Sequence, residues 1–367
     1  MLRRLFIAWT TVGRTFGTWV APMGTFFLLM SLRATVSLAM AMDTTFVPGL
    51  RRSRLVRPIV IVGNPRSGTT FLHRFLVDQQ LGAGLRLWEM MFPSVILRRM
   101  IRPLLPVLER ISPARHHSTV AHDTSLTSVE TDDASLLFRH FDGFFLYGFI
   151  FSFAEEDHRP MFEPSVRDTS QRDFAFYERV WRDNSFAHPS GREIAKLFSL
   201  SMRMPKFLER FPEARILYMV RDPVEVIPSG LSLVTGVLDK RFGFWRLPEA
   251  TRARFLERLY DAFVQLLRVF HADWTEGRID KSRVLIVRYD RLMKDFEGLM
   301  TDILAFADVP RTPELDQEIA RVGAKQRAWK SEHKYDTEKF GITEERIRKD
   351  CGFVYDTFLS DPSPKQA

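Results

Sequence analysis

The sequence predicts an α/β fold, a central parallel sheet flanked by helices with a helical appendage ahead of it, and three observations carry that prediction. Short β-branched runs at 59–63, 194–198, 216–220 and 284–287 alternate with longer stretches of helical periodicity. The first run breaks at Gly63 into a Pro/Ser/Gly loop that opens directly onto an apolar-periodic helix. Residues 1–52 differ from the rest, being apolar and flanked by arginine.

The four runs are the strands, each bounded by charged or turn residues. Helices are expected after Thr69, over 201–211, 223–233, 250–274 and 296–307, and around 134–141. Strands separated by helices favour right-handed parallel crossovers, which cover both faces of the sheet. A ligand then belongs at the carboxyl ends of the strands. No internal repeat is visible.

The chain of 367 residues divides into 1–52, an N-terminal apolar segment; 53–360, one large domain; and 361–367, a tail expected to be disordered. A net charge of +8 favours an anionic ligand or an anionic membrane surface. No zinc spacing or nucleic-acid motif is present, so nucleic acid is not expected as a partner. Cys351 is the only cysteine, which excludes an intramolecular disulfide and fits a cytoplasmic setting, with the inner face of a membrane as its extension.

Residues 15–32 form an uncharged run of 18, flanked by Arg14 and Arg33. It reaches the lower limit for a membrane span, but Gly17, Pro22 and Gly24 weaken a straight helix. With 36–42 it makes a bent helical pair. Three readings stand for this segment: peripheral contact with a bilayer surface, burial against an edge of the sheet, or, less favoured, a true span.

Gly63 and Gly68 enclose four residues, the spacing of a Walker A loop, yet Thr69 occupies the position where that motif needs Lys. The loop amides and the positive end of the following helix still make an anion site. A second constellation follows the third strand. Arg221-Asp222-Pro223 opens a helix that carries Ser229 eight residues beyond the Arg, and Pro is favoured at such a start because its missing N–H costs nothing there. Arg and Ser can hold one phosphate from two sides. Together the two sites suit a ligand with two separated anionic groups, on a P-loop-type three-layer fold.

These motifs, Asn64-Pro65-Arg66-Ser67-Gly68-Thr69-Thr70 and Arg221 with Ser229, resemble those of the sulfotransferases that use 3′-phosphoadenylyl sulfate (PAPS) and release the desulfated nucleotide PAP. The resemblance runs from about residue 58 to about 341, and is to the bacterial and tyrosylprotein-like branch. It implies that Arg66, Ser67, Gly68, Thr69 and Thr70 hold the 5′-phosphosulfate and that Arg221 and Ser229 hold the 3′-phosphate. Sulfonate carries less charge than the β,γ-phosphates of a kinase substrate, so no metal is required.

The resemblance also implies a catalytic set. Glu89, 23 residues beyond Arg66, stands where the tyrosylprotein-like branch has its general base; a first-turn acidic residue can equally cap its own helix. His122 is the alternative base, on a stretch with Glu130, Asp132 and Asp133 that borders the acceptor in related bacterial enzymes. Lys196, 25 residues before Arg221, takes the place of a Lys that contacts the sulfonate. Tyr289 is expected on adenine, or else as a core residue, and Ser331 is expected near the nucleotide. His73 is read as structural.

The aromatic-dense stretch 141–153 is expected to wall the acceptor site or fill the core. A wall of that kind suits a lipid-like or other hydrophobic alcohol. The function expected is therefore sulfonate transfer from PAPS to a hydroxyl. The competing expectations are a P-loop nucleotide kinase or NTPase, and a catalytically inactive nucleotide-binding module for a membrane or partner.

Overall fold

A computed structural model describes residues 1–111, 125–186, 188–328 and 337–360. Two helices precede the sheet, α1 (Leu2–Phe16) and α2 (Val20–Phe46). After β1 (Ile59–Val62) come α3 (Thr69–Asp78), α4 (Leu87–Met91), α5 (Val95–Ile101), α6 (Leu105–Ile111), α7 (Ala134–His140), α8 (Phe144–Phe149) and α9 (Ser170–Ser185). Then follow β2 (Ile194–Lys196), α10 (Met204–Arg210), β3 (Arg215–Val220), α11 (Pro223–Phe242) and α12 (Glu249–Thr275). The chain closes with β4 (Val284–Arg288), α13 (Tyr289–Lys294), α14 (Phe296–Phe306), α15 (Pro313–Ala328) and α16 (Glu344–Asp350).

The four strands are parallel, in the order β2-β1-β3-β4. Their β-branched residues alternate between two cores, as side chains on a strand must. Val60 and Val62 of β1, with Ile216, Tyr218 and Val220 of β3, face α9, α10 and α12. Ile59 and Ile61, with Leu217 and Met219, face α3, α14 and α15. All four residues of β1 are fully buried. At roughly 1.5–3 kcal/mol for each such side chain, this strand anchors both layers.

Connections leave β1 toward β2 on one side and β3 toward β4 on the other. The carboxyl ends of β1 and β3 therefore flank a topological switch point, where open α/β sheets form a crevice. Gly63 closes the strands around it. Its φ is +146°, and a Cβ there would lie 2.5 Å from the Met219 carbonyl oxygen, so only glycine lets the backbones approach this closely.

The first fifty residues are helical, as expected, and dock on the domain. Arg4 of α1 donates to the Phe141 carbonyl at 2.9 Å and sits 3.4 Å from the buried Asp142 carboxylate. Phe16 packs against Phe153 and stacks on Phe242. Asp43, fully buried near the end of α2, accepts from the Val95 and Ile96 amides at 2.9 Å each, which satisfies the first turn of α5. The tail 361–367 lies outside the described residues.

Candidate active site

Local sequence explains how the anion site is built. Gly68, at φ +88°, is the N-cap of α3 and offers no side chain to its first turn, so that turn's amides face whatever lies ahead of the helix. A Cβ on Gly68 would press within 2.9 Å of Leu292. Arg66 holds φ +78°, a left-handed conformation that costs a non-glycine residue energy and that clusters at functional sites. It turns its side chain across the crevice, where Nε donates to Ser229 Oγ at 3.0 Å.

The second constellation meets the first there. Asp222 caps α11 by accepting from the Val224 amide at 2.9 Å, and Pro223 follows it at the helix start. Arg221 donates to the Arg66 carbonyl at 2.9 Å. Its guanidinium stacks 4.2 Å from the centre of the Tyr289 ring and pairs with Glu225 at 2.8 Å. Arg66, Arg221, Ser229 and Tyr289 are thus one connected group rather than two separate posts. Ser67 is buried in the loop.

A cavity of about 800 Å³ extends from this group. The loop and α3 form its floor through Arg66, Gly68, Thr69 and Thr70, and Arg221 and Tyr289 form one side. Phe144, Phe145 and Phe149 of α8, with Phe198, form an aromatic wall opposite. Lys196 and Asp132 line it as well.

Lys196 ends β2 at the carboxyl edge of the sheet, and its ammonium donates to Thr70 Oγ1 at 3.2 Å and Glu130 Oε2 at 2.9 Å. Asp132 Oδ2 is 3.7 Å away. Glu130 also pairs with Arg74 of α3 at 2.6 Å. Burial alone would depress the Lys196 ammonium, but Glu130 and Asp132 outweigh it and hold its pKa above the usual value. Asp132 moves the other way. Burial pushes its carboxyl up to about 7, Lys196 works against that shift, and Glu130 adds to it.

Two neighbours complete this corner. Asp133 accepts from the Ser199 amide at 2.9 Å and its hydroxyl at 2.6 Å, which fixes the turn that carries Asp132. His73 is fully buried on α3 and its Nε2–H donates to the Ile194 carbonyl at 2.9 Å. Burial lowers its pKa to about 3, so the ring is neutral and structural.

The expected site residues divide accordingly. Arg66, Gly68, Thr69, Thr70, Lys196, Arg221 and Tyr289 line the cavity, and Ser229 joins it through Arg66. Tyr289 meets Arg221 face-on. Glu89 does not line the cavity. Its carboxylate accepts from the Arg86 amide at 2.8 Å, which satisfies that donor at the start of α4. Glu193, which precedes β2, and Arg98 of α5 are among the groups that feel its charge. His122 and Ser331 lie outside the described residues.

Sequence reasoning names Asp132 only within the stretch that borders the acceptor, with no role of its own, and does not foresee the Glu130–Lys196–Arg74 cluster. The acidic run 130–133 was its only local signal. Which of those carboxylates faces the cavity depends on a tertiary bond, the Lys196 amide to the Thr131 carbonyl at 2.8 Å.

A parallel sheet with an anion-cradling loop and a helix N-terminus at its switch point defines a P-loop-like group-transfer fold. Residues 58–314, more than half of the chain, match the family described as "Sulfotransferase family", and the chain belongs to that family. It is 25% identical over 249 residues to the omega-hydroxy-beta-dihydromenaquinone-9 sulfotransferase Stf3 of Mycobacterium bovis and of Mycobacterium tuberculosis. That match takes in 66% of this chain and spans only 60% of the length of those relatives. Among solved structures the fold is similar to sulfotransferase STF1 of Mycobacterium tuberculosis (TM-score 0.68, 18% identity, 95% of this chain and 90% of that one). It is also similar to STF9 of Mycobacterium avium (TM-score 0.65, 20% identity, 87% and 81%).

Proposed function

We propose that this sulfotransferase moves the sulfonate of PAPS to the hydroxyl of a hydrophobic, lipid-like acceptor. The observation that carries the donor half is the connected group of Arg66, Ser229 and Arg221 beside the open first turn of α3, two anion sites at one crevice. A nucleotide with a 5′-phosphosulfate and a 3′-phosphate presents charge to both. The acceptor half is supported by the aromatic wall of Phe144, Phe145, Phe149 and Phe198, and by the menaquinone-derived acceptor named for the Stf3 relatives.

The side chains divide the chemistry. In the transfer, the acceptor oxygen bonds to sulfur as the bond from sulfur to the phosphate oxygen breaks, and the acceptor proton must leave. Lys196, held beside Thr70 at the loop, balances negative charge that grows on the departing oxygen. Arg66 and the α3 amides orient the donor. Asp132 lines the same cavity as the aromatic wall, 3.7 Å from Lys196, and takes the proton of the acceptor hydroxyl. Glu89, the base that the resemblance implies, accepts from the Arg86 amide at its own helix start, and the proton is assigned here to Asp132 instead.

Calorimetric titration with PAP, with and without Mg²⁺, tests the donor half. Metal-independent binding that weakens in Arg221→Ala is expected. Binding of ATP with Mg²⁺ in preference to PAP would return the site to the kinase reading.

A further inference from the structure

Among the described residues, large exposed apolar side chains gather in two stretches far apart in sequence. One is α1–α2, with Phe6, Val20, Phe27, Leu38 and Phe46; the other is α5–α6 and the turn between them, with Met100, Leu104 and Val107. Each set recurs at helical spacing. Val20, Phe27, Leu38, Met42 and Phe46 follow one face of α2, and Met100, Leu104 and Val107 are spaced by four and three. The opposite face of α2, with Val36, Met40 and Asp43, is buried, and Asp43 is the residue that caps α5. The two apolar stretches therefore belong to helices that pack on one another.

Charge tells what covers them. Residues 1–42 contain no acidic side chain, and Arg3, Arg99 and Arg102 are exposed on the same helices. Apolar helix faces edged by arginine match an anionic bilayer.

The burial pattern also fixes how α2 meets that bilayer. Its C-terminal half is held in the fold, with the Ser37 hydroxyl accepting from Arg139 at 2.7 Å and the Met40 carbonyl accepting from Arg179. Only the part before Arg33 is free to leave the protein. Thirteen residues, 20–32, rise about 20 Å as a helix, less than the roughly 30 Å hydrocarbon core. The helix is too short to span and long enough to lie in the interface.

We infer that α2 and the α5–α6 segment form one composite face that seats the enzyme in the plane of an anionic bilayer, with α1 tying that face to the acceptor wall. The tie is direct, because Arg4 holds the chain at Phe141 and Asp142 and Phe16 packs on Phe153, on either side of α8. A membrane-resident alcohol is then the class of acceptor delivered to the cavity, an extension that rests on the function proposed above.

Flotation of the full chain with vesicles tests the face. Wild type is expected to float with phosphatidylcholine/phosphatidylglycerol vesicles, and less with phosphatidylcholine alone or in high salt. Phe27→Glu with Leu28→Glu, and separately Met100→Glu with Leu104→Glu, should each lower partitioning by about tenfold or more while PAP affinity is unchanged. Should either pair disturb folding, an environment-sensitive dye at Phe27→Cys or Leu104→Cys gives a second readout, Cys351 being buried. Both labels should shift to the blue on vesicles. Wild type that stays with the unbound protein, a face whose α5–α6 half is indifferent to vesicles, or a concentration-dependent dimer that no longer floats would overturn the inference. PAP affinity on the same samples separates that failure from failure of the donor assignment.

Discussion

Lys196 Nζ lies 3.7 Å from Asp132 Oδ2, and the two side chains line the cavity that the anion loop and the aromatic residues share. One is held charged by Glu130 and Asp132, and the other is held by burial near its midpoint at neutral pH. A carboxylate with a pKa near the working pH is suited to take a proton in a transition state.

Asp132→Asn should lower sulfonate transfer by about 10²- to 10⁴-fold with PAP affinity kept. In wild type, kcat/KM should fall below about pH 7 as Asp132 protonates, and that limb should be missing from the residual activity of the variant. Glu89→Gln should retain transfer and lose helix-cap stability. Initial rates across pH for the three proteins decide the matter.

The same residue should cost stability. Its folded pKa, about 7, lies above the unfolded value of 3.8, so its contribution is most favourable below the unfolded pKa and is lost as pH rises through 7. Asp132→Asn is therefore expected to raise the urea midpoint at pH 8, by on the order of 1 kcal/mol after loss of the Lys196 contact. The advantage should vanish near pH 4.

His73 works in the opposite direction. Its folded pKa, about 3, lies below the ordinary 6.5, so the stability it contributes is present above 6.5 and is lost as pH falls toward 3. His73→Gln should flatten the decline between pH 6.5 and 4.5, at a cost of about 1 kcal/mol at pH 7 for the altered bond to Ile194. Denaturant midpoints at the two pH values measure this.

Arg221→Lys tests the planar stack on Tyr289. Lysine keeps the charge but loses the paired bonds to Glu225 and the Arg66 carbonyl. PAP binding should weaken about tenfold or more, with little change in melting temperature. An unchanged affinity would remove Arg221 from the nucleotide site.

Gly63→Ala should be severe. Its Cβ would meet the Met219 carbonyl at 2.5 Å on a backbone with φ +146°, and the strain should exceed about 2 kcal/mol. Loss of soluble protein or a large drop in melting temperature is expected.

Much of this architecture is legible in the sequence because strands buried on both faces read as near-continuous apolar runs. The run at 59–63 and the strand Ile59–Val62 coincide, as do 216–220 and Arg215–Val220. α9 and α15 are harder to read, since Asp173, Asp183 and Arg side chains interrupt their apolar spacing and are paired partly within α9, by Arg172 and Arg182, and partly across elements, as in Arg203–Asp173 and Arg327–Glu297. The helix expected over 223–233 continues to Phe242, with Pro228 inside it. Arg66, Arg221 and Ser229 are visible because backbone chemistry fixes their places at strand ends. Asp132 is not, because only the pairing of its loop with β2 aims it at Lys196.

The central claim is transfer of sulfonate from PAPS at this cavity. Radiolabelled PAPS incubated with lipid extract and wild type, Arg66→Ala or Asp132→Asn tests it most directly. The account predicts a labelled lipid product with wild type and a loss of about a hundredfold or more with either variant. Label that stays with the nucleotide in wild type, or transfer that both variants sustain, would contradict it.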